Sequence, residues 1–234
     1  MVTDLSGKGY SIQNAVYEQH ELDNIIALLN SLDDNKSSIR RSKDLYAIRN
    51  LLNIAPGLLN VILNDKLRSV ILSLFPSKNA SIIRSLYFDK PPRSNWFVAW
   101  HQDLTINVKE KLETTDFKNW AHKDGYYSVQ PPVDILENIC TIRIHLDDTD
   151  ANNGALKVIA ASHTQGVVRS DEFDTQNKDA DICSLQAGGI MLMKPLLFHS
   201  SARTNNDKRR RVIHLELSDK ALHEDMQWSE SVKL

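Results

Sequence analysis

His101 and Asp103 stand two residues apart in Trp100-His101-Gln102-Asp103. In an extended segment both side chains leave the same face of the chain and can reach one ion. A third ligand has to come from elsewhere, and His199 stands at the end of the apolar run Ile190 to Phe198, where a buried strand would emerge. Two imidazoles and one carboxylate on one side of an ion leave its other positions open, which suits Fe(II) and oxygen chemistry. A closed structural zinc site takes four protein ligands instead. A His-x-Asp pair alone is a short motif, equally readable as a surface histidine beside a turn aspartate, so the partner segment carries the weight.

That segment is Phe198-His199-Ser200-Ser201, followed by Lys208-Arg209-Arg210-Arg211-Val212-Ile213-His214-Leu215. If Ile190 to His199 and Arg210 to Leu217 form a hairpin, an arginine eleven residues after His199 returns beside it. Ser201 then shares the face of His199 by the period of two. A guanidinium pairs bidentately with a carboxylate and a serine hydroxyl adds a hydrogen bond, so Arg210 and Ser201 would make a carboxylate clamp next to a metal. Strand parity puts Val212, His214 and Glu216 on the face of Arg210, and Arg211, Ile213, Leu215 and Leu217 on the other. Lys208, Arg209 and Arg211 read as a solvated hairpin tip.

Thr141, Arg143 and His145 alternate with Ile142, Ile144 and Leu146, giving one strand a polar face that meets either solvent or a cleft. Arg84, Trp96, Thr105 and Trp120 are further candidates for a pocket mouth, with core packing an equal explanation for the tryptophans. His163 and His214 read as structural histidines.

The elements that must position these residues change character along the chain. Leu22, Ile25, Ile26, Leu29 and Leu32 fall on one helical face, and Asp33 to Ser38 breaks the pattern. A second helix is expected from Leu45 to Ile54, stopped at Ala55-Pro56-Gly57. Short helices follow from Leu58 to Leu63 and from Asp65 to Phe75, with Asp65 as N-cap, and Pro76 closes the region. From Ala80 the period becomes two. Strands are expected over Ser81 to Phe88, Trp96 to Trp100, Ile139 to Leu146, Leu156 to Ala161, Ile190 to Phe198 and Arg211 to Leu217. Asn152-Asn153-Gly154 and Gly188-Gly189 mark turns, and Leu112 to Asp134 reads as a long ordered loop. Helices followed by many short strands predict an α+β, mainly β domain with a sandwich or barrel as its catalytic half.

A length of 234 residues suits one domain with one sizeable core. With 28 basic and 30 acidic side chains, no bulk field recruits nucleic acid or an anionic membrane. Cys140 and Cys183 lie far apart in no metal or redox spacing, which fits a reducing cytoplasm. No window reaches the roughly 18 to 20 apolar residues of a membrane span, so a soluble protein with a small-molecule substrate is expected.

From about Arg84 to Leu217 the sequence closely resembles the phytanoyl-CoA hydroxylase-like family of Fe(II)/2-oxoglutarate dioxygenases. The matching segments are Trp100-His101-Gln102-Asp103, Leu146-Asp147-Asp148 leading to Asn153-Gly154-Ala155-Leu156, Ser162-His163 with Gly166, and His199 with an arginine at the eleventh position after it. The family's Pro-Gly-Ser-His turn reads Ala160-Ala161-Ser162-His163 here. The resemblance implies a double-stranded β-helix, or cupin-like jelly roll, with N-terminal helices packed on one sheet. Residues 1–78 would be mostly helical, 79–220 the jelly-roll core and 221–234 a tail. It further implies His101, Asp103 and His199 as iron ligands and Arg210 and Ser201 as holders of the distal carboxylate of 2-oxoglutarate. Hydroxylation of an unactivated C–H bond, with O2 consumed and succinate and CO2 released, is the implied reaction. A jelly-roll metal-binding module without oxygenase activity is the alternative.

Overall fold

The computed structural model describes residues 2–32, 39–44, 46–112, 114–123, 125–174, 178–223 and 225–234. The break expected over Asp33 to Ser38, and Leu45 at the start of the second expected helix, lie outside the described residues.

Among the described residues, three antiparallel sheets and a set of short helices make up the fold. The largest sheet has eight strands, in the order Tyr10–Gln13, Ile190–Met193, Cys140–His145, Arg210–Ser218, Ser81–Lys90, Tyr46–Arg49 and Ile39–Arg41, with Val232–Lys233 also paired to Ser81–Lys90. A second sheet of four strands runs Asp181–Ile182, Leu156–Val158, His199–Ser201 and Val98–His101. The third joins Ile106–Val108, Tyr126–Gln130 and Lys118–Lys123.

The helices cover one face of the large sheet. Leu22, Ile25 and Leu29 of helix Gln19–Asn30, with Leu58, Ile62, Leu67 and Val70 of the shorter helices, pack on Ile82, Ile142, Ile144, Ile213, Leu215 and Leu217. Helix and strand each bury the one face their period makes apolar, and burying a side chain of this size is worth roughly 1.5–3 kcal/mol. The opposite face of the sheet is polar at its centre, where Arg84, Arg143, Arg210, His214 and Glu216 border a cavity closed on its other side by the four-stranded sheet.

Several expectations need correction. The segment from 46 to 54 is not one helix: Tyr46–Arg49 is a strand and only Leu51–Ile54 is helical. Asn50 between them has a left-handed backbone (φ 52°) that reverses the chain. The helix Asp65–Leu74 is capped by Asn64, whose side chain accepts from Leu67 N at 2.8 Å, and not by Asp65. Leu112 to Asp134 is not a plain loop but carries two of the three strands of the small sheet, and Asp134 lies in helix Val133–Asn138. The expected hairpin between Ile190 to His199 and Arg210 to Leu217 does not exist. Ile190–Met193 pairs with Cys140–His145, the chain turns at Lys194 to Phe198, and His199–Ser201 joins the opposite sheet. Among the described residues no helix is long and apolar enough to cross a membrane.

Candidate metal centre

His101 and His199 are direct cross-strand partners in the four-stranded sheet, with ring centroids 4.2 Å apart. Each ring is oriented the same way. His101 Nδ1 lies 2.8 Å from Ala99 O and His199 Nδ1 lies 2.9 Å from Leu197 O, so both Nδ1 atoms donate to carbonyls and both Nε2 lone pairs are left available. Those Nε2 atoms converge on Asp103, at 3.7 Å from Oδ1 and 3.7 Å from Oδ2 respectively. Ligands held about 2.1 Å from one ion stand at most about 4.2 Å apart, so the three groups fit a single centre.

Asp103 follows the strand Val98–His101, and its backbone N–H donates to Pro195 O at 2.9 Å. Between His101 and Asp103, the buried Gln102 donates to Gly166 O and Leu196 O and accepts from Val168 N, tying this turn to the segments around 166–168 and to Leu196, close before His199. Ser162, from the divergent Ala-Ala-Ser-His turn, accepts from Phe198 N at 2.8 Å and so fixes the residue before His199. His163 Nε2 reaches Ser6 O and its ring packs on Gly9, a structural role as expected. Burial opposes the charge on Asp103, but His199, His214, His101 and Arg84 outweigh it and hold the carboxyl below its usual range. Burial pushes the His199 imidazole down to about 4, which keeps it neutral and able to ligate.

A cavity of about 240 Å³ opens beside the three groups. Arg84, Trp96, Arg143, Ser201 and Arg210 line it, as does Phe88, which stacks on Trp96. Arg210 is 2% exposed, and its Nε and Nη1 have no hydrogen-bond partner among the described residues. Lys90, also buried, sits directly opposite Arg210 across the ladder, donates to Ala202 O and lies over the Trp96 ring. The Ser201 hydroxyl donates to Gly154 O at 2.9 Å. No acid is among the groups that perturb Arg210, and burial with nearby Arg143 pushes its guanidinium down to about 9. A buried arginine pair of donors without an anion fits a bound carboxylate.

The structure separates the remaining candidates. His145 is buried and not among the residues that line the cavity; its Nδ1 meets Thr149 Oγ1, its Nε2 has no hydrogen-bond partner among the described residues, and burial together with Arg143 and Arg210 holds it well below its usual range. Thr141 is buried and Thr105 half-buried, both off the cavity lining. Trp120 belongs to the small sheet, against Phe117 and Tyr127, and is no part of the cavity. His214 and Glu216, the first read as merely structural, do line it, and the parity of the Arg210 strand was the signal for both. Lys90, beside the cavity-lining Arg210 and Trp96 though not itself among the lining residues, was missed altogether, although strand alternation puts it in phase with Arg84, Leu86 and Phe88. Arg211 is not a solvated tip, and Arg209, exposed as expected, is nevertheless ion-paired. Arg211 forks onto Asp147 through Nε and Nη2, and Arg209 pairs with the buried Asp89. Lys208 and Arg209 both stay exposed, Lys208 3.6 Å from Asp150.

A family model described as phytanoyl-CoA dioxygenase (PhyH) matches residues 6–212. Solved structures of similar fold include HygX from Streptomyces hygroscopicus with nickel and 2-oxoglutarate bound, with TM-score 0.64 and 13% identity over 93% of this chain and 85% of that one. SnoK, a non-heme alpha ketoglutarate dependent carbocyclase from nogalamycin biosynthesis, gives TM-score 0.67 and 15% identity over 97% and 84% of the two chains. EctD from S. alaskensis, in its apoform, gives 0.69 and 16% over 92% and 75%. Among curated proteins none matches the sequence.

Proposed function

Because the chain belongs to the phytanoyl-CoA dioxygenase family, we propose that it is an Fe(II)- and 2-oxoglutarate-dependent dioxygenase that hydroxylates a small organic metabolite. In this reading residues 1–234 form one domain, and the two sheets facing across the cavity are a double-stranded β-helix. His101, Asp103 and His199 hold Fe(II), and Arg210, with Ser201 at its side, holds the distal carboxylate of 2-oxoglutarate. The observation that supports it most is the pairing of the convergent His-Asp-His set with a buried arginine that has no anion of its own.

With O2, the bound iron and 2-oxoglutarate supply the oxidising power for an unactivated C–H bond, releasing succinate and CO2. The chain's own residues prepare that chemistry. Ala99 O and Leu197 O fix the tautomers of both histidines, so no proton has to leave Nε2 for metal to bind. Asp103 stays ionised at neutral pH and supplies the one negative charge of the set. Phe88, Trp96 and Leu86 wall the cavity with apolar surface, which limits water at the reacting centre.

Fe(II)-dependent release of succinate from 2-oxoglutarate under O2 and ascorbate, without added substrate, tests the proposal. Slow turnover abolished by a chelator is expected. Complete inactivity with metal bound would favour a binding module instead.

A further inference from the structure

Arg143 is 6% exposed, lies on the cavity face of strand Cys140–His145 and borders the cavity next to His101, Asp103 and His199. Its Nη1 donates to His214 Nδ1 at 3.0 Å, a neutral acceptor, and its Nε has no hydrogen-bond partner among the described residues. Every other charge around it is matched. Arg84 is neutralised by Glu216 at 2.8 Å, Asp103 belongs to the metal centre, and Arg210 suits the distal carboxylate of the keto acid. With Fe(II) and a 2-oxoglutarate dianion in place, and Lys90 counted as neutral, the cavity still holds one positive charge more than it has anions. A buried unpaired guanidinium is among the costlier features a core can carry, and a ligand that completes it recovers that cost.

We propose that Arg143 is a second anion anchor, and that the substrate oxidised here carries a carboxylate or phosphate that Arg143 binds beside the metal. This rests on the oxygenase assignment and narrows it to anionic substrates small enough for a cavity of about 240 Å³. Arg143 faces the ligand set from the opposite sheet, so an anion held there places the neighbouring carbons of the substrate over the metal. Arginine's planar fork matches both anions bidentately, whereas an ammonium or neutral substrate would meet an unscreened positive charge.

The test uses the Mn(II)- and 2-oxoglutarate-loaded protein without O2, with formate and inorganic phosphate as probes. Paramagnetic relaxation of formate protons and of phosphorus reports an anion bound near the metal. Saturable enhancement in the wild type, weakened about tenfold or more by Arg143→Met, is expected. Arg143→Lys should be intermediate, since it keeps the charge and loses the fork. Response to formate alone points to carboxylates, and to phosphate as well to phosphate esters. The affinity for 2-oxoglutarate, read from tryptophan fluorescence, should stay within about threefold in both variants. A tenfold loss there would instead make Arg143 a keto-acid ligand and overturn the proposal, as would equal enhancement in wild type and variants or none in the wild type. A wild type that binds Mn(II) but no 2-oxoglutarate would defeat the underlying assignment, a distinguishable outcome. Apoprotein melting separates the anchor from a structural role: removing an unpaired buried charge should leave Arg143→Met at least as stable as wild type, and a clear drop would mark Arg143 as structural and sink the idea.

Discussion

Arg143 Nη1 and His214 Nδ1 meet at 3.0 Å, between residues that face each other directly across two strands of the large sheet. Because guanidinium offers no lone pair, His214 Nδ1 is the acceptor and its Nε2 proton points at Glu216 Oε1, 3.3 Å away. Glu216 Oε1 also accepts from Arg84 Nη1, and Arg84 Nη2 donates to Asn107 Oδ1 at 2.7 Å. These residues thus form a directed chain of hydrogen bonds that ends, among the described residues, in an orphan donor at Arg143 Nε.

Glu216→Leu breaks that chain where it is charge-compensated, leaving Arg84 buried without an anion. Removing one partner of a buried pair costs about 3–5 kcal/mol. Urea unfolding of the apoprotein should show a loss of that order.

Alanine at His101, Asp103 or His199 should abolish succinate release, because each substitution removes one of the three proposed ligands. Apoprotein melting temperature should change little, as the three contribute little apolar core. Metal content after dialysis is the direct check, and a His199→Ala protein that keeps iron and activity would refute the triad.

Three adjacent arginines should separate cleanly. Losing a charged hydrogen bond in a desolvated site costs on the order of 1.5–3 kcal/mol, roughly tenfold to more than a hundredfold in affinity. Arg210→Met and Arg210→Lys should raise the 2-oxoglutarate requirement by that factor at unchanged Fe(II) affinity. Arg211→Met should instead lower stability by about 1–3 kcal/mol, since Asp147 loses its fork. Arg209→Met should cost less, about 1 kcal/mol or below, because the guanidinium side is half exposed and screened.

Lys90 gives a pH signature. Burial, reinforced by Arg210, pushes its ammonium down to about 7. An unfolded lysine keeps its proton to about 10.4, so between these values the unfolded chain binds a proton that the folded chain has released. Apoprotein stability should therefore rise with pH from about 7 upward, the burial penalty being fully present below about 7. A bound dianion favours the charged lysine, so affinity for 2-oxoglutarate should weaken over the same range. Between about pH 7 and the Arg210 titration at about 9, fluorescence titrations and urea melts should show both trends in wild type and neither in Lys90→Met.

What the sequence made legible follows its local periods. His101 and Asp103 two apart, and Arg210 in phase with His214 and Glu216, depend only on alternation within one strand, and the structure brings all of these to one cavity. Pairings across the chain are another matter. Asp89 and Asp147, which occupy Arg209 and Arg211, come from 120 and 64 residues away, so nothing near those arginines distinguished a solvated tip from a closed ion pair. The stretch from 46 to 54 failed for a different reason: a short apolar run suits strand or helix equally, and the sheet edge at Ser81–Lys90 decided it. The false hairpin came from assuming that neighbours in sequence pair, where His199 actually crosses to the facing sheet.

The Arg84–Glu216 bond joins residues 132 positions apart. At about 5–20 residues per second, roughly 7–26 s pass on the ribosome between the two. During that interval the Ser81–Lys90 strand lacks the Arg210–Ser218 neighbour that forms its longest ladder, and His199 has not been made when His101 and Asp103 emerge. The pocket is therefore a late product of biosynthesis. Iron supplied to nascent chains would find at most two of the three proposed ligands, and loading should track completed protein rather than translation.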